Sequence, residues 1–162
     1  MNENIDLNKL PSDVKKEFMK YALKLKEKKT KSKVHDDFLT FAKHVWPEFI
    51  EGKHHKIIAE KFNRLAKGEI KRLIINMPPR HTKSEFASNL LPAWMIGRKP
   101  NLKIIQTTHT TELAVRFGRK AKTLIDSPEY QQLFKTRLKE DSQAAGKWET
   151  QQGGEYYAAG VG

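Results

Sequence analysis

Apolar residues recur along this 162-residue chain at two spacings, and the switch between them marks out its elements. Behind a helix start at Pro11-Ser12, the residues Val14, Phe18, Tyr21, Ala22 and Leu25 fall on one helical face. From Lys24 to Lys33 the apolar signal fades and six lysines fall within ten residues. The helix is therefore expected to fray into a basic connector, either a solvated linker or an arm that touches DNA. Asp36 and Asp37 offer caps for a second helix with a broad apolar stripe, Phe38, Leu39, Phe41, Ala42, Val45 and Trp46, closed by Pro47. A third helix is expected from about His54 to Lys67, with Ile57, Ile58, Phe62 and Leu65 on one side and Gly68 as its C-terminal cap.

The pattern then changes. Leu73, Ile74, Ile75 and Met77 form an apolar run of strand length bounded by Pro78 and Pro79, which reads as a buried strand. After Arg80-His81-Thr82-Lys83-Ser84 comes a helical stretch through Phe86, Ala87, Leu90, Leu91, Trp94 and Met95, interrupted at Pro92 and ended by Gly97. Leu102 to Thr107 reads as a second buried strand, and Leu113, Ala114, Phe117, Ala121, Leu124 and Ile125 as an amphipathic helix after it. This βαβα alternation predicts an α/β fold with a parallel sheet and right-handed crossovers. Ser127-Pro128 starts a short helix through Phe134, and Gly153-Gly154, between Trp148 and Tyr156-Tyr157, suggests a hairpin turn.

Composition sharpens this picture in three ways. The chain holds 38% hydrophobic and 31% charged residues, too apolar for wholesale disorder and long enough for one domain with a core. Lysine and arginine number 31 against 19 acids, so the formal charge of +12 makes a polyanionic partner plausible. The absence of cysteine excludes disulfides, thiolate zinc sites and cysteine nucleophiles. No apolar run approaches the length of a membrane span, and MNENIDLNKL lacks the plan of a signal peptide, so a soluble, cytoplasmic protein is expected.

The loop between the first strand and its helix carries the candidate chemistry. Where a buried strand turns into a helix, backbone N–H groups and the positive helix end can face an anion. A lysine then reaches the terminal phosphates and the following Ser or Thr holds magnesium. Lys83 and Ser84 occupy those places, but Met77 and Thr82 stand where the usual pattern has its two glycines. Pro78 and Pro79 have no N–H to donate, so donors must come from His81 through Ser84, and Thr82 would be strained if its position required positive φ. By context alone, a nucleotide loop and an ordinary loop at a strand end both remain open. The pair His54-His55 is a poor metal site, because adjacent residues rarely point at one ion. Thr107 to Thr110, after the second strand, reads as a loop with a helix cap.

The run IINMPPRHTKSEFAS, residues 74–88, resembles the variant Walker A segment of tailed-phage terminase large subunits. Gly68-Glu69-Ile70, Gly97-Arg98-Lys99-Pro100, Ser127-Pro128-Glu129-Tyr130 and Lys147-Trp148-Glu149-Thr150 with Gly153-Gly154 are similar to that family in order and spacing. The resemblance covers roughly residues 35–162, with residues 1–34 a basic helical lead-in. It implies the first portion of a P-loop (ASCE-type) ATPase domain, part of a motor that binds ATP and Mg²⁺ and threads double-stranded viral DNA into a capsid. Lys83 would contact the β and γ phosphates and Ser84 would ligate Mg²⁺. Arg80 would place a cation near the γ-phosphate. Pro79, His81, Thr82 and Glu85 would complete the nucleotide-binding loop, and His55 would stand near the position from which such ATPases recognise adenine. The implied partners are the portal protein, the small terminase subunit and further copies of the chain, in the host cell cytoplasm.

In that family a strand ending in acidic residues serves hydrolysis, and the segment Gly160-Val161-Gly162 corresponds to the stretch just before it. The resemblance thus implies an ATP-binding portion without the Walker B acids or the nuclease domain, with negligible hydrolysis alone and exposed apolar sheet faces and edges. Two other readings stay open: a basic nucleic-acid-binding module without nucleotide chemistry, and a fragment of a helicase-like ATPase.

Overall fold

The computed structural model describes residues 11–142 and 144–161, so residues 1–10 of the expected lead-in, and Gly162, lie outside the described residues. The chain divides into two compact units, Met1–Ser32 and Lys33–Gly162. In the first, helix α1 (Ser12–Asp36) is exposed almost throughout, with Val14, Phe18 and Tyr21 open to solvent. The expected fraying between Lys24 and Lys33 does not occur, since α1 runs unbroken through all six lysines. Lysine is a good helix former, and a fading apolar stripe removes a packing face without removing that propensity.

The second unit begins with α2 (Phe38–Val45), α3 (Lys53–Lys67) and α4 (Leu91–Arg98). Asp37 caps α2 by accepting the Thr40 N–H and hydroxyl, and Asn63 of α3 ties the same carboxylate to the Phe38 amide. Phe38 is fully buried and meets Phe62, Phe86 and Trp94 edge-on, at centroid distances of 4.9, 5.3 and 5.5 Å. Edge-to-face rings add to area burial, so this cluster is the anchor of the helical layer. Its polar edges are met as well, the Trp94 indole donating to the Val34 carbonyl and the Tyr130 hydroxyl to the Ala93 carbonyl.

Strands β1 (Lys103–Thr108), β2 (Lys147–Glu149) and β3 (Glu155–Gly160) form one sheet in the order β1-β3-β2. β1 lies parallel to β3, with Ile104 opposite Tyr156, and β2 is antiparallel to β3, with Trp148 opposite Tyr156. The sheet is thus mixed where a parallel one was expected. The reason is the turn at Gly153-Gly154, where Gly153 takes φ 85° and returns the chain directly beside itself. Helix α5 (Thr111–Asp126) packs on both β1 and β3. Trp148 stacks flat on Tyr156 and donates its indole N–H to the Gly118 carbonyl of α5. The short helix α6 (Pro128–Leu133) follows α5 and brings Tyr130 into the core. The opposite sheet face is open, with Ile105 74% and Tyr157 50% exposed.

Residues 73–77, expected as a buried strand, form no regular element and pair with no strand. Burial alternates along them, Leu73, Ile75 and Met77 turning partly inward while Ile74 is 86% exposed. Period two is the strand signature, but a strand also needs backbone pairing, and although β1 is an edge strand, residues 73–77 are not paired with it. The run instead borders a groove shared with His54, Ile57, Ile58 and Lys61 of α3. The established architecture is therefore a mixed α/β unit with a small three-stranded mixed sheet and packed helices.

Helix formation after the loop differs in detail too. Glu85–Leu90 forms a widened π turn in which the Leu91 N–H reaches back to the Phe86 carbonyl, and α4 continues through Pro92 without interruption. Proline removes one helical donor and crowds the carbonyl four residues before it, and a widened turn relieves that crowding. Gly97, expected to end the helix, lies inside α4, where a Cβ would come within 2.7 Å of the Phe134 ring.

Candidate functional site

The candidate loop runs from Pro78 to Ser84, between residues 73–77 and the π turn. Its residues are polar and short of regular hydrogen bonds, so its shape must come from backbone geometry and a few side-chain contacts. Arg80 and Thr82 both adopt left-handed backbone, at φ 64° and 59°, the two non-glycine residues with positive φ among those described. Such a conformation costs a β-branched residue on the order of 1–3 kcal/mol and persists only where surroundings impose it. A left-handed residue followed by right-handed helical ones turns successive N–H groups to one side, which makes an anion-binding concavity.

Thr82 accepts the first helical hydrogen bond, from the Phe86 N–H at 2.9 Å. The amides of Lys83, Ser84 and Glu85 are therefore the unbonded amides of the first turn. Thr82 is a residue type that often caps such amides with its hydroxyl. Here its hydroxyl is engaged elsewhere, donating to the His81 carbonyl at 2.6 Å and contacting His55 Nε2 at 2.6 Å. The helix end is left open for an outside acceptor. Arg80 and Lys83 are exposed and make no ion pair among the described residues.

His55 sits at the first turn of α3, where it is buried with 5% exposure. The Gly52 N–H donates to its Nδ1 at 2.8 Å, so the proton of the neutral ring lies on Nε2 and is donated to Thr82. Phe49 and Phe86 flank the ring at 4.7 and 5.0 Å. Burial pulls the His55 imidazole below its ordinary pKa, helped by His54 and His81 and opposed by Glu51. His81 donates from Nδ1 to the Pro79 carbonyl at 2.9 Å, bracing the loop entrance.

The structure thus brings His55 and Thr82 into contact and keeps Pro79, Arg80, His81, Lys83 and Ser84 on an exposed rim. Glu85 is directed elsewhere, accepting from the Asn89 side chain at 2.6 Å and pairing with Lys120 of α5 at 2.9 Å. Thr110 caps α5 through the Leu113 N–H, the plain reading of the segment after β1. The His55 to Thr82 link was not legible in the sequence, because the two stand 27 residues apart and no local pattern joins them. The one available hint was the non-glycine residue at a position where the loop's usual plan calls for glycine.

As a magnesium site the loop offers the exposed hydroxyl of Ser84 and no acidic cluster. No group of three His, Asp or Glu residues that could hold a metal occurs among the described residues. That donor set fits Mg²⁺ only as an ion carried with phosphates and water, which is how this reluctantly dehydrated cation is commonly held. No protein-family model, curated protein or solved structure matches this chain.

Proposed function

We propose that this chain binds Mg²⁺·ATP at the loop Pro79–Glu85, as the ATP-binding portion of a viral terminase large subunit that powers packaging of double-stranded DNA. The observation that carries the reading is the left-handed Thr82 leading into a helix whose first amides are open beside Lys83 and Ser84. In this reading the Lys83 amine meets the β and γ phosphates, Ser84 ligates Mg²⁺, and Arg80 sets a second cation near the γ-phosphate. The amides from His81 to Ser84 receive phosphate oxygens, a role that Pro79 can share only through its shape. The likeness of residues 74–88 to the terminase Walker A segment supplies the substrate and the setting: the host cell cytoplasm, with the portal protein, the small subunit and further copies of the chain as partners.

The reading is one of binding rather than turnover. Neither β1, ending at Thr107-Thr108, nor β3, ending at Ala159-Gly160, carries a carboxylate at its C-terminal end to orient magnesium or water. The deciding experiment is a titration of fluorescent ATP in Mg²⁺ against the chain and Lys83→Ala. Binding weakened at least ~10-fold is expected for loss of one charge-assisted phosphate contact. Superimposable curves refute the assignment.

A second reading has its own observation. The lysines of α1 from Lys16 to Lys33 are solvent-exposed, and a basic helix can grip phosphates with no nucleotide at all. It expects DNA affinity that falls steeply with salt and is indifferent to Lys83 and ATP.

A further inference from the structure

His55 spends both ring nitrogens inside the protein, on a backbone amide and on Thr82, which makes it an unusual neighbour for an open anion loop. The hydrogen bonds run one way, Gly52 N–H to His55 Nδ1, His55 Nε2–H to the Thr82 hydroxyl, and that hydroxyl to the His81 carbonyl. Bonds aligned in one direction polarise each other, and each fixes the donor or acceptor role of the next. The last link holds the carbonyl immediately before Thr82 while the ring holds its side chain. The residue is thereby pinned on both sides of the bond whose φ is 59°.

We propose that His55 is a positioning residue of the phosphate loop: in its neutral, Nε2-protonated form it locks Thr82 in left-handed backbone and so aims the Lys83 and Ser84 amides at a bound phosphate. This rests on the nucleotide reading of the loop and deepens it. It differs from a role in touching adenine, because the ring acts on the ligand only through Thr82. A second proton on His55 removes the acceptor that the Gly52 amide needs, and turns the ring from its place between Phe49 and Phe86. The loop is then unlocked in mild acid. Facing the ring are Glu51, Phe49 and Gly52 from the connector, His54 from α3, His81 and Thr82 from the loop and Phe86 from the π turn. Glu51 is the one acid in this set, and it is held by Lys43 and Lys56. Glu51 still favours the charged ring, but burial and the neighbouring His54 and His81 outweigh it.

The test uses fluorescent ATP with Mg²⁺, on the full chain, with folding of each variant checked by circular dichroism. His55→Asn keeps an acceptor for the Gly52 amide but is too short to reach Thr82. It should weaken binding ~10-fold, the scale of one buried hydrogen bond. In the Thr82→Gly background, where the left-handed backbone needs no clamp, the same substitution should change binding less than twofold. A ring contacting the nucleotide directly would lose the same factor in both backgrounds, and that result overturns the proposal.

As pH falls from 6.5 through the depressed His55 value, the wild type should lose affinity more steeply than His55→Gln, which can donate to Thr82 but cannot protonate. Ionisation of the ATP phosphates is common to both proteins and cancels. Parallel pH profiles would also sink the idea. Lys83→Ala separates the two levels. If it abolishes binding while His55→Asn does nothing, the loop is the site and the lock is wrong. If it changes nothing, the nucleotide reading fails and takes the lock with it.

Discussion

Gly97 of α4 lies against the ring of Phe134, so closely that a Cβ there would stand 2.7 Å from two ring carbons. The contact lets the chain after α6 close over α4, and it explains why the last turn of this helix carries the residue with the poorest propensity short of proline. Gly97→Ala should therefore destabilise by about 1–3 kcal/mol through overpacking, despite improving helix propensity. Gly68→Ala provides the contrast, since nothing lies within 4 Å of its added methyl but its φ is 80°. There the cost should be about 1 kcal/mol and purely conformational. Urea unfolding would check both, and a Gly97→Ala protein as stable as the wild type would contradict the packing.

Removing the Phe38 ring should have a larger effect. It is fully buried and touches three other rings edge-on, so Phe38→Ala leaves a cavity between α2, α3 and α4 and should cost about 3–5 kcal/mol. A loss below 1 kcal/mol in chemical denaturation would mean that the helical layer is not anchored there.

Asp37 links stability to acid. Burial pushes its carboxyl up, but the Thr40 hydroxyl, the Asn63 amide and two backbone N–H groups outweigh that and hold it below 3.8. A carboxyl whose folded value is depressed binds its proton more readily when unfolded. The cap's stabilisation is thus fully present above the unfolded value and is lost as pH falls through the folded one. Asp37→Ala should cost about 1–2 kcal/mol at pH 7 and progressively less below pH 4. Urea midpoints of the two proteins that stay parallel from pH 6 to pH 2 would contradict this.

The open face of the sheet predicts tolerance. Ile105 points away from α5 and is 74% exposed, so Ile105→Thr should change stability by less than about 0.5 kcal/mol. Ile104→Thr, one residue earlier and packed against the core, should cost more, about 1–2 kcal/mol. Equal effects at both positions would mean that the strand's two faces are not distinguished.

Much of this protein was readable from one dimension because local chemistry wrote it there. Helical spacing gave α2, α3 and α5 to within a residue or two, Asp37 and Gly68 marked a start and a stop, and Gly153-Gly154 marked the hairpin. Each of these depends on neighbours a few positions away. The lysine-rich half of α1 was misread as frayed because a stripe of apolar residues reports packing, whereas helicity there follows from propensity.

What tertiary structure decided depended on partners far along the chain. Residues 73–77 have a strand's alternation, but whether they join a sheet depends on where the fold sets them relative to another strand, and no local pattern encodes that. Lys83 and Ser84 stood out as a phosphate-binding pair in sequence. The shape of their loop did not, because φ at Thr82 is set by a histidine from another helix rather than by threonine's own preference. The sequence by itself placed Lys83 and Ser84 at the end of the loop. Only folding, by bringing Gly52, His55 and Thr82 into one line of hydrogen bonds, could force a β-branched residue into the backbone that points those amides outward.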